Sequence, residues 1–238
     1  MANAYVFPGG CVDPADHVLA KEKIPNVPLG AFRVAGLREL AEETGLTVDA
    51  QGRITQRDSP EVTETSVTVL KPFAHWITPK QEKYRYDTWF FAIRGPADLL
   101  ELELKMDPKE VSDIRWVTPD EALAMHADVT RNFTLPPPTY LVMQELSLMR
   151  TCQAFFDALA GKGYEADPVR AVPVNQPDLV LGETGLQRMK LSENATFLKK
   201  GTHYFPVHTS QGSIAQIPVV VCDEREAREW MDTTPSSL

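Results

Sequence analysis

The clearest periodic segment runs from Phe32 to Thr44, where proline is absent and good helix formers dominate. Gly45 follows where a helix would close in a left-handed cap, so a helix is predicted to end there. Upstream, Tyr5-Val6-Phe7 reads as a short strand running into a turn at Pro8-Gly9-Gly10. Residues 11–31, interrupted by Pro14, Pro25 and Pro28, read as a long loop, and such loops are uncommon unless functional. Downstream, apolar and β-branched runs at Val67-Thr68-Val69-Leu70, from Phe73 to Ile77 and from Tyr84 to Ile93 predict strands of a mainly antiparallel sheet. Trp116-Val117 predicts the end of another strand. Thr118-Pro119-Asp120-Glu121 combines an N-cap, a proline at the first helical position and a capping-box glutamate, so a helix begins there. After Pro136-Pro137-Pro138, apolar residues at helical spacing between Thr139 and Ala160 predict a helix that closes the main domain. Beyond Gly161 the chain changes character. Pro168, Pro173 and Pro177 separate short apolar pieces, and two strands are expected, His203 to Val207 and Ile217 to Cys222. The order of elements predicts a mixed α/β (α+β) fold, with a main domain over residues 1–161 and a strand-rich extension over residues 162–238.

Composition narrows the class. A chain of 238 residues that is 43% hydrophobic is long and apolar enough to bury a real core. Its formal net charge of −9 argues against general nucleic-acid binding, which relies on clustered Lys and Arg, so any phosphate substrate must meet locally placed cations. Cys11, Cys152 and Cys222 are an odd number at wide spacings, which suits a reducing compartment better than a disulfide framework. No stretch approaches a membrane span and no signal-peptide layout is present, so a soluble, intracellular protein is expected. The tripeptide Ser236-Ser237-Leu238 resembles the peroxisomal Ser-Lys-Leu signal without its basic middle residue, which leaves cytoplasmic and peroxisomal locations open.

The candidate chemistry sits on the predicted helix. Glu39, Glu42 and Glu43 stand at i, i+3 and i+4, which puts three carboxylates on one helical face within mutual reach. Like charges so close repel, and a hard divalent cation with oxygen ligands, Mg²⁺ or Mn²⁺, would relieve that repulsion. Arg38 adjoins the cluster and could brace a carboxylate with paired hydrogen bonds. Taken alone, three acids and an arginine more often mark a solvated helix face.

The surroundings of the cluster change that balance. Arg38-Glu39-Leu40-Ala41-Glu42-Glu43-Thr44-Gly45-Leu46 resembles the second half of the Nudix box at every specified position. Phe7-Pro8-Gly9-Gly10 is similar to its first half, and five residues after Gly10 comes Asp16 where the family has Glu. Between Asp16 and Arg38 lie 21 residues where the standard box has seven. That insert, with Asp13, Ala15-Asp16, Phe32-Arg33-Val34-Ala35, Thr78-Pro79 and Arg85-Tyr86-Asp87-Thr88-Trp89-Phe90-Phe91, is similar to the branch of peroxisomal coenzyme A diphosphatases.

The resemblance implies an α/β/α sandwich around a mixed sheet. It implies Glu39, Glu42 and Glu43 as metal ligands, with Glu42 or Glu43 handling the proton of an attacking water and Arg38 as the orienting residue. Gly10 and Gly45 match turn positions of the box, Gly10 and Arg85 are the candidate substrate-binding residues, and Arg85 would contact a substrate phosphate. The implied cofactor is Mg²⁺ or Mn²⁺, and the implied partner is a small nucleotide-type substrate, coenzyme A or an acyl derivative, cleaved to adenosine 3′,5′-bisphosphate and a 4′-phosphopantetheine product. Nudix domains have strands upstream of the Gly-Gly turn, where only a few residues precede it here. Either the given chain starts late or the sheet lacks its most N-terminal strands, and an edge opened in that way predicts low stability or pairing with another chain, as in a homodimer.

Two other functions stay open on these residues: hydrolysis of a different nucleoside diphosphate-linked substrate, and a Nudix-like module that binds a nucleotide or protein without turnover. Arg85 and Asp87 would share a face of a strand and could form an edge ion pair. The aromatics Tyr84, Tyr86, Trp89, Phe90 and Phe91 read as sheet core. Glu110 is a candidate supporting acid. His17, His75, His126, His203 and His208 show no metal-ligand spacing.

Overall fold

The computed structural model describes residues 4–57, 59–106, 111–149 and 151–176, together with the backbone of strand segments at 178–181, 187–190, 204–207, 209–210 and 213–214. Glu110, His203, His208, the expected strand from Ile217 to Cys222 and the tripeptide Ser236-Ser237-Leu238 lie outside the described residues.

The segment expected to be a loop before the box contains a helix. α1 (Pro14–Lys23) begins with Pro14 in its first turn and Asp16 three positions past Asp13, and the Asp16 carboxylate accepts the Asp13 backbone N–H at 2.8 Å. A proline in the first turn lacks only an N–H that would have had no helical partner, so the residue that looked like a breaker starts the helix. The chain then turns through Pro25 and Leu29, which is left-handed at φ 58°, into α2 (Gly30–Thr44). Ala20 and Ile24 of this first arm pack on Val34 and Leu37 of the second. A fully buried side chain of this size contributes about 1.5–3 kcal/mol. α2 ends as expected: Gly45 at φ 69° donates its N–H to Ala41.

A buried cation fastens this hairpin to the rest of the molecule. Arg33 is 4% exposed and donates to the carbonyls of Pro28 (2.9 Å), Val67 (2.8 Å) and Leu70, with its guanidinium over the Phe91 ring. Burial draws it down to about 10, so the group still carries its charge at neutral pH, where the carbonyls satisfy it. Two of those carbonyls lie at the end of α3 (Glu64–Thr68), where a cation also meets the negative end of a helix. The run Val67-Thr68-Val69-Leu70 is therefore not a strand. Thr63 and Ser66 exchange capping hydrogen bonds of 3.1 and 2.9 Å, and this local cap outweighs the β-preference of the residues that follow.

After α2, β1 (Leu46–Val48) pairs antiparallel with β2 (Ile54–Gln56). Asp49 closes the turn by accepting the N–H groups of Gln51 (3.0 Å) and Arg53 (2.9 Å). The central sheet has the order β4-β3-β5, with β3 (Lys71–Ile77) antiparallel to β4 (Asp87–Ala92) and parallel to β5 (Val174–Asn175). The second strand starts at Asp87 rather than Tyr84, and Tyr84 and Tyr86 stand exposed ahead of it. From Phe90 to Ile93, at the end of β4 and just past it, the side chains alternate between two cores. Phe90 and Ala92 join one with α4 (Pro119–Ala127), α5 (Pro137–Ser147) and α6 (Cys152–Gly161), while Phe91 and Ile93 join the other with the α1–α2 hairpin. The result is a mixed sheet with helices on both faces.

Other expectations are corrected. Tyr5-Val6-Phe7 forms no strand; Ala4 makes an isolated bridge to Thr134, and the Tyr5 N–H donates to the Thr134 carbonyl at 2.8 Å. Residues Trp116-Val117 run without ladder partners among the described residues, although Thr118 caps α4 as expected. The helix expected from Thr139 to Ala160 is two helices, because Thr151 caps α6 by accepting the Ala154 N–H at 3.1 Å. Past Gly161 the chain returns to the first core, where Tyr164 and Val172 are buried. It then forms β6 (Asp178–Leu181), β7 (Gln187–Lys190) and β8 (Tyr204–Val207), an antiparallel sheet that includes most of the expected His203 to Val207 strand. Among the described residues no helix is long and apolar enough to cross a membrane.

Candidate active site

α2 carries the acid cluster and Arg38 binds it together. The Arg38 guanidinium grips Asp16 through Nε (3.3 Å) and Nη2 (3.0 Å), and Nη2 also donates to the Cys11 carbonyl at 2.9 Å. From its other arm, Nη1 donates to Glu39 Oε1 at 2.8 Å and to Glu42 Oε2 at 2.9 Å. Asp13 approaches at 3.8 Å. One planar side chain thus joins the loop after Gly10, the first turn of α1 and two successive turns of α2. A guanidinium suits this task because its donors point outward in a fixed fork. Asp16, 3% exposed on α1, reaches Arg38 because the inserted residues fold as a helical hairpin that brings the two ends together.

The Gly9-Gly10 segment lies against the same helix. The Gly9 N–H donates to Glu43 Oε2 at 3.0 Å. A Cβ on Gly10 would meet the Glu39 carboxylate, 2.7 Å from its Cδ, so only glycine lets the backbone pass this close. The expected trio is therefore restrained in three ways: Glu39 by Arg38 and Gly10, Glu42 by Arg38, and Glu43 by a backbone amide.

The charge balance is negative. Asp16, Glu39, Glu42 and Glu43 face one guanidinium, whose own pKa is raised by the Asp16 hydrogen bonds and, in smaller measure, by Glu39. Among the described residues no three acid, His or Cys side chains converge on a single point as a preformed metal nest. The donor set nevertheless fits a hard divalent ion, since it is all oxygen and its excess negative charge is what such an ion neutralises.

The remaining candidates fall elsewhere. Arg85 is exposed ahead of β4 and donates through Nε to the Thr78 carbonyl at 3.2 Å, and no hydrogen bond or ion pair among the described residues joins it to the acid cluster. It does not share a strand face with Asp87, whose carboxylate instead takes His75 Nε2 at 2.6 Å. His75 is buried and stacks on Trp89 with ring centroids 4.0 Å apart. Phe90 and Phe91 enter the two cores, as a sheet-core reading of the aromatics requires, whereas Tyr84 and Tyr86 do not.

Sequence reasoning missed a cleft of about 450 Å³ at the C-terminal end of α2. It is lined by Glu42 and Gly45 of the helix end, Gln56 and Arg57 after β1–β2, and Lys105 and Met106. Nothing local marks these residues, because they gather only when the β1–β2 hairpin and the segment before residue 107 fold against the helix end.

A family model described as NUDIX domain matches residues 2–135. The chain is 27% identical over 170 residues to a Caenorhabditis elegans protein named nudix hydrolase 7, covering 63% of this chain and 52% of that one. It is 23% identical over 217 residues to the acyl-coenzyme A diphosphatase NUDT19 of Xenopus laevis, covering 61% of this chain and 56% of the other. The chain thus spans about half the length of the curated relatives it matches. No solved structure matches it.

Proposed function

The chain belongs to the Nudix family, and from that premise we propose that it hydrolyses the diphosphate linkage of coenzyme A or an acyl-coenzyme A, giving adenosine 3′,5′-bisphosphate and an (acyl-)4′-phosphopantetheine. The observation that carries this reading is the Arg38 fork, which draws Asp16, Glu39 and Glu42 together beside the Gly9-Gly10 segment. The coenzyme A assignment is supported by the NUDT19 relative, which is named for that chemistry, and by the resemblance of the insert and of residues 78–91.

Glu39, Glu42 and Glu43 would hold the divalent cation, Mg²⁺ or Mn²⁺, that Nudix enzymes generally use. Such an ion, when bound, neutralises charge on the diphosphate oxygens. Glu42 or Glu43 takes a proton from the attacking water, whose oxygen bonds to one phosphorus as the bridging P–O bond breaks and its electrons leave with the departing phosphate ester. Arg38 keeps Glu39 and Glu42 in register for this work, Gly10 leaves room for Glu39, and Arg85 contacts a substrate phosphate. No covalent enzyme intermediate is needed.

The test is product analysis after incubating the purified protein with coenzyme A and Mg²⁺, beside Glu43→Gln and Glu42→Gln. Loss of a placed general base costs about 10²–10⁴ in rate, so at least one variant should fall by that factor while its helical circular dichroism stays unchanged. Turnover at the unmodified rate in both would reject the assigned roles, and release of product from a different diphosphate only would favour another nucleoside diphosphate-linked substrate.

A further inference from the structure

We propose that the cleft at the end of α2 is a subsite for a phosphate monoester of the substrate distinct from the scissile diphosphate, with Arg57 and Lys105 as its cationic ligands. This deepens, and rests on, the reading of the chain as a hydrolase of a phosphorylated nucleotide. The cleft shares Glu42 with the acid cluster, so a molecule whose diphosphate lies at the cluster can extend into it without leaving the surface. Its volume of about 450 Å³ is that of a small-molecule site rather than of a single ion.

Two cationic side chains, Arg57 and Lys105, line the cleft. Among the described residues, Glu42 is held by Arg38 at 2.9 Å, and Arg57 pairs with Glu61 at 3.3 Å, so its guanidinium is shared between that carboxylate and the cleft. The Lys105 ammonium has no carboxylate partner among the described residues. Lys105, with the exposed Arg57 guanidinium in the same recess, offers an anionic ligand two cationic donors beside the acid-rich helix face.

The recess is also built rather than incidental. The Lys105 N–H donates to the Thr44 carbonyl at 2.9 Å, and its Cβ lies 2.8 Å from where a Cβ on Gly45 would stand, so the glycine that caps α2 also seats this lysine. The Gln56 side-chain amide donates to the Glu103 carbonyl and ties the two walls together. Met106 adds an apolar surface beside the cations, suited to the ring system of a nucleotide.

Calorimetric binding of adenosine 3′,5′-bisphosphate and of adenosine 5′-monophosphate to the unmodified protein, Lys105→Met and Arg57→Gln tests the assignment without requiring turnover. Both side chains are exposed, so circular dichroism should be unchanged in the variants. The bisphosphate should bind about tenfold more weakly to each variant, the loss of one charge-assisted hydrogen bond, while the monophosphate changes by less than about twofold. Equal bisphosphate affinity in all three proteins, an equal loss for the monophosphate, or no bisphosphate binding to the unmodified protein overturns the proposal. The expected pattern in a protein that cleaves no coenzyme A would reject the proposed activity and leave the subsite standing; cleavage with unchanged affinities would reject the subsite alone.

Discussion

Arg38 and Gly10 show how far single residues could be read in advance. The spacing of Glu39, Glu42 and Glu43 is local to one helix, so their shared face was legible from periodicity alone. The partners of Arg38 were not, because Cys11 and Asp16 come from other segments and meet it only after folding. Gly10 was legible as a turn residue, but the reason for it is the Glu39 carboxylate, whose Cδ would stand 2.7 Å from any Cβ placed there. Gly9 differs, since the nearest atom to a Cβ there is the Phe7 carbonyl oxygen at 4.0 Å. Gly10→Ala should therefore displace Glu39 and lower the rate on the diphosphate substrate by about 10², whereas Gly9→Ala should stay within about threefold of the parent. Steady-state kinetics on the pair checks this, and equal losses would mean that the backbone freedom of the segment matters rather than the carboxylate's position.

Elements were legible where a cap and a periodic run agreed, as at α2 and α4, and misread where they competed. Pro14 was weighed as a breaker although Asp13 and Asp16 frame it as a helix start. Thr63 and Ser66 were overlooked beside a β-branched run. α4 carries a further consequence in its last turn. His126 is 6% exposed, and its Nδ1 accepts the Leu135 N–H at 3.1 Å, which requires that nitrogen to be unprotonated. Burial lowers its pKa below the ordinary imidazole value. Because the folded value lies below the unfolded one, both states are neutral above about pH 6.5, and the unfolded chain takes up its proton first as pH falls through that value. Stability should therefore drop on acidification from about pH 7 to the lowered pKa and level off below it. His126→Asn, whose side-chain oxygen can stand in for Nδ1, should flatten that part of a melting-temperature profile; an unchanged slope would place the effect on another group.

At the scale of the molecule, the mixed α/β class followed from the order of strands and helices, but the edge of the central sheet did not. β5 is two residues long and pairs with residues 99 positions earlier in the chain, where Asn175 Nδ2 donates to the His75 carbonyl at 3.2 Å. No short apolar run announces such a pairing, because only the assembled core selects it. Tyr164 and Val172 are buried in that core as well. A chain ended after residue 161 should consequently melt roughly 10 °C below one ended after residue 176, given about 1.5–3 kcal/mol for each large buried side chain. Scanning calorimetry on the two would show it, and matching transitions would mean that the first core closes without its last strand.

The helical hairpin that carries Asp16 to Arg38 separates chain length from active-site geometry. The two residues stand 22 positions apart, yet their meeting depends on how α1 lies along α2 and not on how many residues join them. Pro25 and Asn26 at the tip are exposed, while Arg33 holds the far side of the turn through the Pro28 carbonyl. A reporter peptide spliced between Pro25 and Asn26 would thus hang in solvent with both helices still clamped, which makes this tip a natural splice port for labelling the protein without disturbing its chemistry.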